Sequence, residues 1–127
     1  MKKIMLLLFL SFLLAGCTAP AGDSGYRQVS MDEAVALMDG ESGYIILDVR
    51  TAEEFNDSHI PGAVNIPNEE IGTEEIPQLP DKDQKIFVYC RSGNRSKQAS
   101  EKLAALGYTN IIEFGGINSW PGETVSE

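Results

Sequence analysis

Apolar positions along this 127-residue chain follow two recurring patterns. Short continuous apolar runs alternate with stretches in which apolar residues return every three or four positions. The runs at residues 44–49 (YIILDV) and 85–89 (KIFVY) are apolar on both faces, as strands covered on both sides are. Residues 26–29 and 109–114 predict two further strands, and residues 63–66 a short one. Helical patterns lie between them. Ser30-Met31-Asp32-Glu33 predicts a capping box, with Ala34, Val35, Leu37 and Met38 as an apolar face up to Gly40. Thr51-Ala52-Glu53-Glu54 predicts a second capping box and a short helix through about Asp57. Ala99, Leu103, Ala104 and Leu106 predict a helix over residues 96–106, stopped by Gly107. Residues 67–80 hold three prolines and many acids, and predict a loop with at most one helical turn. Apolar strands separated by helices of this length predict an α/β domain, a parallel sheet with helices on both faces.

The front of the chain breaks this alternation. Met1-Lys2-Lys3 is positive, residues 4–14 are apolar except Ser11, and small residues come next. This is the pattern of a signal peptide, and the run is too short to span a bilayer. Leu14-Ala15-Gly16-Cys17 resembles the lipobox of bacterial lipoproteins. The resemblance implies that residues 1–16 are removed and that Cys17 carries a diacylglyceryl group. Two acyl chains anchor a protein stably where one does not. The expectation is a chain outside the cytosol, held to a bacterial cell membrane through Cys17. Residues 17–25 (CTAPAGDSG) then read as the lipidated cysteine and a flexible tether. Residues 26–122 form the domain, and residues 123–127 a polar tail.

Charge narrows the partners. The formal net charge is −9, from ten basic and nineteen acidic side chains. Loss of Lys2 and Lys3 with the signal segment moves it to −11. That argues against nucleic acid and against adhesion to anionic lipid headgroups, so the lipid and not electrostatics would hold the membrane. With Cys17 lipidated, Cys90 is left as an unpaired thiol, which is either buried and inert or reactive.

Cys90 sits in a cationic segment of this acidic chain. Between Asp83 and Glu101 there is no carboxylate, while Lys85, Arg91, Arg95 and Lys97 are present. The cysteine ends a buried-type strand, and Ser96 opens the next predicted helix. Ligand sites in open α/β sheets lie off the carboxyl ends of the strands. The connection contains Gly93, so it can curl with its amide N–H groups turned inward. The helix N-terminus adds free donors and a positive dipole end. Such surroundings favour a thiolate.

Cys90-Arg91-Ser92-Gly93-Asn94-Arg95-Ser96 resembles the active-site loop of the rhodaneses, the thiosulfate sulfurtransferases. Asp48-Val49-Arg50-Thr51-Ala52-Glu53-Glu54-Phe55, with His59-Ile60-Pro61-Gly62-Ala63-Val64-Asn65-Ile66-Pro67, resembles that family's upstream signature. Gly115-Gly116-Ile117-Asn118-Ser119-Trp120 resembles its downstream one. The resemblance implies a single rhodanese-like domain with a central parallel five-stranded sheet. It implies a Cys90 persulfide, formed from thiosulfate or a similar donor and passed to cyanide, a small thiol or a protein thiol. Arg91 and Arg95 are expected to bind small sulfur-containing anions, and Ser92, Gly93, Asn94 and Ser96 to supply the N–H cradle. No metal or organic cofactor is implied. Phosphatases and arsenate reductases on this fold place five residues between cysteine and arginine; here four intervene, which fits one sulfur better than a tetrahedral oxyanion.

Asp48 and Arg50 are expected to brace the loop arginines through ion pairs, or else to form a surface pair. His59, the single histidine, reads as part of a structural turn, and Trp120 as a packing residue. The alternative to an enzyme is a persulfide carrier or sulfane-sulfur sensor serving a partner protein.

Overall fold

The computed structural model describes residues 25–127. The expected signal segment, Cys17 and most of the expected tether lie outside the described residues. Five strands form one parallel sheet in the order β1-β5-β4-β2-β3. They are β1 (Arg27–Gln28), β2 (Ile45–Asp48), β3 (Val64–Asn65), β4 (Ile86–Cys90) and β5 (Ile111–Gly116). The helices are α1 (Met31–Gly40), α2 (Ala52–Asp57) and α3 (Asn94–Ala105), with 3₁₀ turns at Asn68–Glu70 and Ile117–Ser119. The α/β class and the five-stranded parallel sheet are those expected from the sequence.

β4 lies at the centre of the sheet and is buried throughout. Its alternate residues face two separate cores, because side chains switch faces at every step of a strand. Ile86, Val88 and Cys90 pack with Leu47, Val49 and Ile111 beneath Ala99 and Leu103 of α3. Phe87 and Tyr89 pack with Ile46, Ile112 and Phe114 against Ala34 and Met38 of α1. Each fully buried aliphatic or aromatic side chain contributes about 1.5–3 kcal/mol. The same alternation places Cys90 on the α3 side.

The register between β4 and β5 contains the irregularity that shapes the site. Val88 pairs with Glu113, but Cys90 pairs with Gly116, so β5 carries one extra residue there. Such a bulge bends a strand and re-aims the residues beyond it. Gly115 accommodates the bend with φ +99°.

Two local expectations need correction. Ser30 caps α1 by accepting the Glu33 N–H at 3.1 Å. The reciprocal half of the box is not made, because the Glu33 carboxylate instead accepts from Arg27 at 2.9 Å. The Thr51–Glu54 box, by contrast, is complete. α3 begins at Asn94 rather than Ser96, since Gly93 at φ +119° serves as its N-cap without any capping side chain. Within the polar tail, Val125 forms an antiparallel bridge with His59, with N to O distances of 2.8 and 2.9 Å.

Two neighbouring substitutions on α3 are expected to move stability in opposite directions. Leu103 is fully buried, and Leu103→Ala should lower stability by about 2–5 kcal/mol. Ser100 is equally buried and its hydroxyl has no hydrogen-bond partner. Ser100→Ala should raise stability by about 1 kcal/mol. Denaturant midpoints at a constant m-value check both.

Candidate active site

The site is built where β2, β4 and β5 end. Cys90 is the last residue of β4, and only Arg91, Ser92 and Gly93 separate it from α3. This turn requires Gly93, whose φ of +119° is rarely adopted by residues with a side chain. In that conformation the Gly93 N–H donates to the Cys90 Sγ at 3.0 Å. The Cys90 thiol lies 3.4 Å from Ser96 Oγ in the first turn of α3. The sulfur therefore sits at the N-terminus of a twelve-residue helix, where the dipole favours negative charge.

The turn lies directly on β5. A Cβ built on Gly116 would fall 1.9 Å from the Arg91 carbonyl oxygen and 2.5 Å from the Ser92 nitrogen. Both contacts are backbone, so nothing flexible can yield. The Asn118 N–H adds a bond to the Arg91 carbonyl at 3.2 Å. The Gly115-Gly116 pair is thus the seat of the Cys90 turn.

The predicted site residues divide on inspection. Gly93 and Ser96 are buried and reach the sulfur. Ser92 and Asn94 are exposed, and neither their amides nor those of Arg91 and Ser96 hydrogen bond to it. The expected ring of inward amides is, in this structure, one amide and one hydroxyl. Arg91 is exposed and pairs with no carboxylate among the described residues. Arg95 makes two bonds to Glu54, at 2.8 and 3.1 Å. Its charge is therefore already met.

Asp48 and Arg50 do not brace the loop arginines, and they are not a surface pair. They bond each other in the interior, with Arg50 Nη2 2.7 Å from Asp48 Oδ2 and also 2.6 Å from the Ser58 carbonyl. The brace is Glu54, which the sequence pattern places only in a capping box. Glu54 Oε1 also accepts from the Thr51 N–H and hydroxyl at 3.0 Å. The bonds from Arg95, aided by those from Thr51 and opposed by partial burial, hold the Glu54 carboxyl at about 2. One carboxylate thereby caps α2 and ties it to α3.

Glu113 is the second residue that sequence reasoning missed. It is 1% exposed, on the same face of β5 as Cys90 on β4. It accepts from the Ser96 hydroxyl at 2.5 Å and from the Gly115 N–H at 3.0 Å. A signal was available: one carboxylate in the run Ile111-Ile112-Glu113-Phe114. His59 instead bonds the Phe55 carbonyl at 2.8 Å and stacks on the Phe55 ring, a structural role. Trp120 is partly buried and packs against the α1-side core.

A cleft of about 240 Å³ opens above the turn, lined by Arg50, Glu54, Asp57, Ser58, Arg91, Ile117 and Asn118. A larger one of about 470 Å³ lies over the acidic loop from Glu70 to Gln78. The smaller is the relevant one, because of the two it alone is lined by residues at the strand ends, among them Arg91, which follows Cys90. Cys90 itself is 1% exposed, so a reactant in the cleft meets Arg91 before the sulfur.

Comparisons with known proteins agree on one family. Residues 30–123 match the Rhodanese-like domain. The chain is 39% identical over 71 residues to thiosulfate sulfurtransferase PspE of Escherichia coli, covering 56% of this chain and 68% of that protein. It is 31% identical over 105 residues to thiosulfate sulfurtransferase GlpE of Pseudomonas savastanoi, covering 79% and 95%. It spans only 25–26% of the longer fungal sulfurtransferases that it also matches. Among solved structures, a rhodanese with anions from Escherichia coli superposes with a TM-score of 0.60 at 36% identity, covering 66% and 99%.

The Glu54–Arg95 link carries a definite pH signature. Its carboxyl is held below the ordinary 4.5, so its stabilisation is complete above that value and fades as pH falls through about 2. Glu54→Gln should cost about 1 kcal/mol at neutral pH, since the pair is partly exposed. The difference from wild type should vanish toward pH 2. Denaturant midpoints measured across this range test it.

Proposed function

The chain belongs to the rhodanese-like domain family, and on that premise we propose that it moves a sulfane sulfur through a persulfide on Cys90. The observation that carries this reading is the Gly93 N–H bonded to the Cys90 sulfur at 3.0 Å, at the start of α3. A donor placed there favours the anion over the neutral thiol.

The chemistry runs in two displacements. The Cys90 thiolate attacks the outer sulfur of thiosulfate. A new S–S bond forms, the old one breaks, and sulfite leaves with the electron pair. The terminal sulfur of the persulfide is then negative, as the thiolate was, so the same amide and helix end stabilise both. Cyanide or a thiol next attacks that sulfur, and the electron pair returns to Cys90. Arg91, exposed at the cleft and free of a carboxylate, draws in the anionic donor. Arg95 serves differently: bound to Glu54, it fixes α3 relative to α2.

A persulfide carrier serving a partner protein is the second reading, and the burial of Cys90 favours it. A sulfur that small acceptors reach only with difficulty suits delivery to one docked partner. We also propose that the chain works outside the cytosol as a lipoprotein, on the strength of Leu14-Ala15-Gly16-Cys17 at the end of an apolar run.

Treatment of the purified chain with thiosulfate should add the mass of one sulfur, and Cys90→Ala should add none. Failure of the wild-type chain to gain that mass from any sulfane donor would remove the reading. Steady turnover with cyanide supports the enzyme; stable loading without turnover supports the carrier. In a bacterial host, a fatty-acid label should attach to the wild-type chain and not to Cys17→Ala. Equal labelling of both would overturn the lipoprotein assignment.

A further inference from the structure

We propose that Glu113 is the internal acceptor for the Cys90 proton, reached through the Ser96 hydroxyl. The inference rests on the sulfur-transfer reading, since it concerns how the nucleophile of that reaction is made. Cys90, Ser96 and Glu113 form a continuous buried chain, with Sγ to Oγ at 3.4 Å and Oγ to Oε2 at 2.5 Å. All three residues are 0–1% exposed. Glu113 has no basic partner among the described residues; its bonds come from Ser96 and the Gly115 N–H.

Burial makes the destination of the proton a physical problem. A thiol 1% exposed has little water to receive it, and a second negative charge beside an ionised carboxylate in the interior is costly. A transfer within the chain solves both. The Cys90 S–H bond breaks as Ser96 Oγ gains that proton. The Ser96 O–H bond breaks as Glu113 Oε2 gains the other, and sulfur keeps its electron pair. Before transfer, Cys90 donates to Ser96 and Ser96 to Glu113. Afterwards, Glu113 donates to Ser96 and Ser96 to the thiolate. No bond is lost, and the buried group keeps one negative charge throughout. That charge moves from the carboxylate to the sulfur, where the Gly93 N–H and the end of α3 receive it.

The other charged groups on the surrounding elements are already engaged or exposed. Arg95 is held by Glu54, and Asp48 by Arg50. Arg27 of β1 pairs with Glu33 at the surface. Arg91 and Lys97 are exposed. Glu113 acts on the sulfur only through Ser96, and so is a positioning residue for the proton rather than a group that touches substrate.

The test is a pH titration of the thiolate by ultraviolet absorbance in the full chain, with Cys90→Ala as the blank. Two coupled sites sharing one proton titrate in two steps. Wild type should therefore show thiolate at a constant level across a plateau between them. Glu113→Gln keeps an acceptor for the Gly115 N–H but cannot take up the proton in the same way. It should show a single step and no plateau, and because it removes a neighbouring negative charge it should not lower the thiolate level. Ser96→Ala should also lose the plateau, and Ser96→Thr should restore it. Carbon-13 spectra of the unaltered chain give a readout without any substitution: the Glu113 carboxyl should be protonated to the extent that thiolate is present. A plateau that persists in Glu113→Gln, or a wild-type profile with a single step, would overturn the proposal. So would a Glu113 carboxyl fully ionised across the plateau. Sulfur loading by intact mass is scored separately, so loss of the relay and loss of sulfur transfer are told apart.

Discussion

The Cys90 turn rests on bare backbone. Gly116 leaves no room for a side chain beneath Arg91 and Ser92, and this close approach sets the path from β4 into α3. That path dictates the left-handed Gly93, the amide on the sulfur, and the position of Ser96 beside it. The contact exists because β5 carries one extra residue opposite β4, which brings Gly116 level with Cys90. The chemistry of the site is thus set first by the register of two central strands.

A second constraint is electrostatic and acts outside the sulfur. Glu54 links α2 to α3 by neutralising Arg95, while Asp48 and Arg50 neutralise each other beneath them. Of the three arginines near the strand ends, Arg91 is the one left to meet an anion. In the segment that looks uniformly cationic in the sequence, Lys85 and Arg95 are paired with carboxylates, while Arg91 and Lys97 are exposed and pair with none among the described residues. An acidic domain that must admit an anion keeps its attraction local in this way.

Local and periodic signals made part of this structure legible in the sequence. The buried strands at residues 44–49 and 85–89, the complete Thr51–Glu54 box and the Gly107 stop are local features, and each is present. The features that escaped depend on partners or backbone conformations outside the motifs themselves. Glu33 leaves its capping box for Arg27, and Arg95 finds Glu54 41 residues away. The start of α3 lies two residues earlier than its side chains suggest, because its N-cap is a glycine conformation with no side chain to announce it. Glu113 interrupts an apolar strand with a charge, yet its meaning appears only where α3 sets Ser96 beside it.

The hydrogen bond from Gly93 to the sulfur can be observed directly. In a labelled chain, the Gly93 amide proton should shift downfield when Cys90 becomes a thiolate, and stay shifted when it becomes a persulfide. The same resonance should not respond in Cys90→Ala. A Gly93 amide indifferent to the ionisation and loading of Cys90 would contradict the arrangement on which this site is built.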